Sequence, residues 1–174
     1  MGGIIIMMLK LIGIMLLVCA TGYAGISAST LLKEHITRLE LTRKMIDEIT
    51  ILIRHKSLTV TEIVDELISN SIYTELAFLQ IVKSEIAPGI PFHTAWINAI
   101  KKDSKLLVEE KIELISLGNS LGSSDTEGQM SALTIYKDKF NLLIKKANEN
   151  YDKKGKLYRS LGVLSGVFVA ILLI

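Results

Sequence analysis

The chain has 174 residues, of which 49% are hydrophobic and 6% aromatic, with two prolines and a formal net charge of +2. That length holds one domain with a real core, the near-neutral charge argues against wholesale nucleic-acid binding, and the single cysteine, Cys19, excludes an intrachain disulfide. Few aromatics and few prolines favour helix over sheet.

Every acidic residue, and every basic residue except Lys10, lies between Lys33 and Arg159. The N-terminal stretch from Leu11 to Leu32 is therefore uncharged and long enough to cross a bilayer as a helix. A cleaved leader competes with an anchor here, with Lys10 as its basic start and GISAS as its small-residue cleavage site. The apolar character continues past that point to Leu31-Leu32, which favours the anchor. Met7 and Met8 stand as alternative starts.

From Ser27 to Ser69 no proline or glycine intervenes. Leu32, Ile36, Leu39, Ile46, Ile49 and Ile53 share one helical face, so the first helix is expected to run on as a stalk to about His55. Thr59-Val-Thr-Glu62 has the form of a capping box and opens a short helix that ends at Asn70-Ser71. A third helix is expected near Ile72 to Ile86, burying Ile72, Leu76, Leu79 and Ile86, with Pro88-Gly89 as its stop. A fourth runs from Phe92 to about Lys101, with Phe92, Ala95, Trp96, Ala99 and Ile100 inward and Trp96 as the core anchor. Asp103 or Ser104 is expected to cap a fifth helix reaching Leu121. A sixth begins near Asp125 and carries Leu133, Tyr136, Phe140, Leu143 and Ala147 as its stripe.

The segment LGNSLGSSDTEGQ joins the fifth and sixth helices. Its glycines suggest a phosphate loop, but such a loop ends in Gly-Lys-Ser/Thr, which the chain lacks. A helical joint accounts for it better. Gly118 and Gly122 lie four apart on one face and admit a close neighbour, and Gly122 suits a left-handed helix end. Ser124 to Glu127 reads as a second capping box, with Asp125 near the positive helix end. Gln129 is placed to tie the joint by side-chain hydrogen bonds. Gly118, Leu121, Gly122, Asp125 and Gln129 are thus either a purely structural joint or part of a partner-binding face.

The uncharged run Ser160 to Ile174 makes about 22 Å of helix, short of the roughly 30 Å of a hydrocarbon core unless Tyr158 and Arg159 extend it at the interface. Gly162 and Gly166 form a G-x-x-x-G; close helix packing and the mere commonness of glycine in such helices explain it equally well. Lys33, Arg38, Arg43 and Lys44 follow the first span, and Lys153, Lys154, Lys156 and Arg159 precede the second. This bias puts the middle on the cytoplasmic side. The expected organisation is an N-terminal segment and transmembrane helix over 1–32, a cytoplasmic helical domain with stalks over 33–156, and a C-terminal transmembrane helix over 157–174. The fold class is all-α, a compact helical bundle between two membrane helices.

No catalytic constellation emerges. His35, His55 and His93 lack metal-ligand spacing to each other or to Cys19, and there is no H-E-x-x-H, C-x-x-C or G-x-S-x-G. The adjacent carboxylates Asp47-Glu48, Asp65-Glu66 and Glu109-Glu110 point apart on a helix. No enzyme activity, cofactor or metal is expected. The acid-rich stretch Asp103 to Glu127 offers a landing place for a basic partner, although a solvated helix face accounts for it more simply.

MLKLIG near the start, Thr94-Ala95-Trp96, the joint segment from Leu117 to Gln129, and Ser160-Leu-Gly162 together resemble the stage III sporulation protein AB family, over nearly the whole chain from Met8. Where that family usually carries a Thr-Pro-Leu turn, this chain has Lys56-Ser57-Leu58. The resemblance implies a non-enzymatic scaffold subunit of the channel between mother cell and forespore, lying in the membrane that surrounds the forespore. It also implies a soluble part similar to the type II secretion platform protein F (GspF-like), a SpoIIIAA-type ATPase as partner, and other SpoIIIA-type membrane channel subunits as neighbours. The alternative is a generic two-span membrane protein that forms a homo-oligomer through its helices without an ATPase.

Overall fold

A computed structural model describes residues 2–56, 58–122 and 125–173, apart from the side chains of 2–7, 9–12, 14, 17, 159, 163, 167, 169, 170, 172 and 173. Among the described residues every regular element is helical, in agreement with the all-α reading. The chain divides into two compact units, one comprising Arg38–Ile144 and the other Met1–Thr37 with Lys145–Ile174.

The terminal unit is built from the first part of α1 (Gly2–Ile51), the end of α6 (Thr126–Asn150), a π-helical turn at Tyr151–Gly155, and α7 (Lys156–Leu173). Its two helices meet along small residues. A Cβ on Gly25 would stand 2.5 Å from the carbonyl oxygen of Tyr158 and 3.2 Å from Cα of Gly162. One on Gly162 would stand 2.8 Å from the Thr21 carbonyl, and one on Gly166 would stand 2.6 Å from Thr21 Oγ1. Gly155 and Ser29 are buried where the same seam continues. Gly162 and Gly166 therefore pack against α1 of their own chain.

Among the described residues no helix is long and apolar enough to cross a membrane. The expected pair of membrane spans therefore finds no support among the described residues. Side chains at 11, 12, 14 and 17, and at 163, 167, 169, 170 and 172–174, lie outside the described residues.

In the bundle unit, the second part of α1 buries Leu39, Met45, Ile46 and Ile49 and passes into a π-helical turn, Leu52–Lys56, that buries Leu52 and Ile53. The turn residue Ser57 lies outside the described residues. The capping box is present: Glu62 N–H donates to Thr59 Oγ1 at 3.4 Å, and Thr59 N–H donates to Glu62 Oε2 at 2.7 Å. It opens α2 (Val60–Ser69), which buries Ile63, Val64 and Leu67.

The expected third helix is two elements. Ser71–Glu75 is a 3-10 helix, Leu76 breaks the chain at φ −85°, ψ 77°, and α3 covers Ala77–Ile86. A 3-10 turn has three residues rather than 3.6, so the inward stripe moves off Ile72. Ile72 is 54% exposed and Ile86 only half-buried, while Tyr73, Phe78 and Val82 join Leu76 and Leu79 inside. The buried Tyr73 hydroxyl donates to Glu48 Oε2 at 2.6 Å. Gly89, at φ +93°, ends the segment after α3.

α4 (Phe92–Lys102) buries Ala95, Trp96, Ala99 and Ile100, with Phe92 half-buried. Phe78 meets Trp96 edge to face, with ring centroids 5.5 Å apart. α5 (Val108–Ser120) starts later than expected. Asp103 instead ends α4, and its Oδ1 accepts from Lys105 N–H at 2.8 Å in the connecting turn. The first turn of α5 is served from within by Glu110, whose Oε2 accepts from Leu107 N–H at 3.4 Å. α6 buries Leu133, Phe140 and Leu143.

Candidate functional site: the joint between α5 and α6

α5 ends at Ser120 with Leu121 as its cap, and Gly122 then turns the chain at φ +74°, a left-handed conformation that side chains adopt at a cost. The Gly122 N–H donates to Gln129 Oε1 at 3.2 Å, so a side chain one turn into α6 holds the end of α5. Asp125 caps α6: its Oδ1 accepts from Gly128 N–H at 3.0 Å, satisfying one of the donors that every helix start leaves open. Ser124, the expected start of that cap, lies outside the described residues.

The sequence-selected residues fall into three places. Gly118 and Trp96 meet in the core, where the indole ring occupies the space a side chain at Gly118 would need. Trp96 Nε1 donates to the Leu114 carbonyl at 2.7 Å on the same helix. Leu121, Gly122 and Gln129 line a half-open cavity of about 290 Å³. Asp125 is exposed at the α6 start. Gly162 and Gly166 belong to the terminal unit and have no part in the joint.

The opposite wall of the cavity escaped the sequence reading. It is made by Ile53 of the π-helical turn and by Leu58, Thr59, Val60 and Ile63 at the start of α2. Val60 Cγ2 would stand 3.0 Å from a Cβ on Gly122. The wall and the joint are about sixty residues apart in sequence, and no local pattern pairs them. The closest sequence signal was the capping box, which fixes where α2 begins.

The lining is mainly apolar, with the Thr59 and Thr126 hydroxyls and the Gln129 amide as its polar groups. Nearby, Glu62 is held below its ordinary carboxylate pKa by the Thr59 hydroxyl first and the Thr59 backbone second, so it is a firm anion. Among the described residues no group of three or more His, Cys, Asp or Glu side chains could hold a metal ion. The adjacent carboxylates serve different neighbours: Asp47 binds Arg43 and Lys137, Glu48 accepts from Tyr73, Asp65 binds Lys83 and Glu66 binds Lys56. The lining suits reception of an apolar group.

A family model for stage III sporulation protein AB matches residues 10–174. The chain belongs to the stage III sporulation protein AB family. No curated protein and no solved structure matches it. The match runs through α1, the bundle and α7 without interruption, so the joint and the cavity belong to the stage III sporulation protein AB domain itself rather than to an appended module.

Proposed function

We propose that this protein is a non-enzymatic platform subunit of the sporulation channel between mother cell and forespore, coupling a SpoIIIAA-type ATPase to SpoIIIA-type membrane subunits. The observation that carries the proposal is the family match over residues 10–174. The proposed GspF-like character is compatible with an all-helical bundle of short helices, a fold-level analogy. The joint cavity, lined by Leu121, Gly122 and Gln129 and bordered by Asp125 and Glu62, is the proposed seat of the ATPase contact.

The terminal helices are the proposed membrane anchor, with the bundle on the cytoplasmic, mother-cell side. Support comes from their nearly uncharged sequence and from outward-facing Met15, Leu16, Ile26, Leu164, Phe168 and Ile171, which in water would be an uncovered apolar surface. Packing through Gly25, Gly162 and Gly166 is the kind by which helices associate in lipid. A generic two-span protein that self-associates through those glycines has weaker support, because they already face α1 of the same chain.

The test is capture of a SpoIIIAA-type ATPase on membranes carrying the full chain, with Leu121→Asp as the variant. Retention by the parent chain and loss by a folded Leu121→Asp variant is the expected result. Failure of the parent chain to retain the ATPase refutes the coupling role, and nucleotide hydrolysis by the purified chain alone refutes the non-enzymatic one.

A further inference from the structure

Apart from Ile51 and Ile72, the large apolar side chains of the described bundle that are more than half exposed are Leu107, just before α5, Val108 and Ile112 on α5, and Ile135 and Leu142 on α6. They are grouped by helical geometry. Val108 and Ile112 are one turn apart on the outward side of α5, opposite the buried Leu114, Leu117 and Gly118. Ile135 and Leu142 stand one turn to either side of Lys139 on α6. Lys139 Nζ reaches across to Glu113 Oε2 at 2.7 Å, so the two helices are joined at this level. An aliphatic surface thus surrounds one cross-helix ion pair. Single exposed aliphatic residues are ordinary, whereas a group of them on a helix pair marks an interaction surface.

We infer that this α5–α6 face binds a second copy of the same chain through a two-fold axis running along the helix pair. The charge layout selects that occupant and that axis. Glu113 on α5 and Lys139 on α6 cancel, so the face has little field to steer a strongly charged partner. It does carry an acidic edge beside a basic edge. A two-fold axis parallel to the helices lays α5 of each copy over α6 of the other and sets Glu113 over Lys139 twice. An axis across the helices sets Glu113 over Glu113 and is disfavoured by like charge. The chosen axis also places Val108 of one copy over Leu142 of the other, so that two aliphatic pairs form at one level beside the four charges. This inference stands apart from the ATPase coupling, since it uses neither the joint cavity nor the terminal helices.

Cysteine crosslinking of the full chain in cells tests it. In a Cys19→Ala background, Val108→Cys and Leu142→Cys chains carrying different tags are expressed together and oxidised in place. The mixed disulfide dimer is expected at least several-fold above a Val108→Cys and Ile72→Cys pair. A mixed dimer no more abundant than that control, or capture only of other proteins, overturns the inference. Charge reversal gives an independent reading. Lys139→Glu should abolish the dimer, and adding Glu113→Lys should restore it. A dimer insensitive to Lys139→Glu in a chain that keeps its helical circular dichroism also overturns it.

Discussion

The indole of Trp96 lies against the bare backbone of Gly118, and its Nε1 donates to the carbonyl of Leu114, one turn earlier on the same helix. α4 and α5 are thereby locked at one level by a contact that tolerates no side chain. Gly118→Ala should destabilise the protein by about 1–3 kcal/mol, as overpacking of a filled core does, even though alanine favours a helix by about 1 kcal/mol over glycine. Chemical denaturation of the full chain, followed by the fluorescence of its one tryptophan, measures this directly. A Gly118→Ala protein as stable as the parent would disprove the contact.

Gly122 works through its backbone rather than through space. Its φ of +74° is open to asparagine far more readily than to a β-branched residue. Gly122→Asn should retain most of the stability, whereas Gly122→Val should lose clearly more. Comparing the two midpoints in one denaturant series separates conformational strain from any loss of partner binding.

Asp125 offers the complementary experiment at the same joint. Asp125→Ala removes the acceptor for Gly128 N–H and should cost about 1 kcal/mol, the usual value of a helix N-cap. Asp125→Ser should recover most of it. If ATPase retention falls with Asp125→Ala and stays low with Asp125→Ser, the carboxylate touches the partner. Recovery with Asp125→Ser assigns it to the helix alone.

How stability depends on pH follows from three ion pairs and caps outside the terminal helices. Lys102 foremost, then Asn98, holds the largely buried Glu85 carboxyl below its ordinary value, through bonds of 2.5 and 2.9 Å. The Thr59 hydroxyl and backbone do the same for Glu62. A depressed folded-state pKa gives stability that is present above the unfolded value of 4.5 and is lost as pH falls through the folded value. Lys139 is raised above 10.5, chiefly by Glu113, so its contribution is complete below 10.5 and is lost as pH rises through the folded value. The thermal midpoint should therefore hold steady near neutral pH and fall toward both extremes. Glu85→Gln should flatten the acid limb, and Lys139→Met the alkaline one. An acid limb unchanged by Glu85→Gln would discount the Lys102 pair.

In the terminal unit, Gly162→Ile should force α7 away from Thr21 and Gly25, whereas a change at the exposed Leu161 should not. The thermal midpoint of the full chain should fall clearly with Gly162→Ile, whose Cβ would already stand 2.8 Å from the Thr21 carbonyl, and should hold with Leu161→Ala.

The features legible from sequence are those whose causes are local. Thr59 and Glu62 announce a helix start because both partners of the capping box lie within four residues. Ala95, Trp96, Ala99 and Ile100 announce an inward face because α4 keeps a constant 3.6-residue period. The reading failed where the period changes. A 3-10 turn at Ser71–Glu75 and the break at Leu76 carry Tyr73 inward in place of Ile72. It also failed at the start of α5, where Leu107 has no side-chain acceptor and the cap comes from Glu110 inside the helix. The cavity wall from Ile53 to Ile63 was illegible for a third reason: tertiary packing alone brings it to Gly122. The two apolar faces of α5 are visible in the sequence, but only burial distinguishes the face that is covered from the one left open.

The bond from Gly122 N–H to Gln129 Oε1 joins two neutral amides. Neither partner takes up a proton in the range where Glu85 and Lys139 lose their hold, and salt has little charge there to screen. The bend between α5 and α6 is thus insulated from acidity and ionic strength. A cell compartment whose ionic composition shifts during development would leave that angle unaltered, while the ion pairs around it respond.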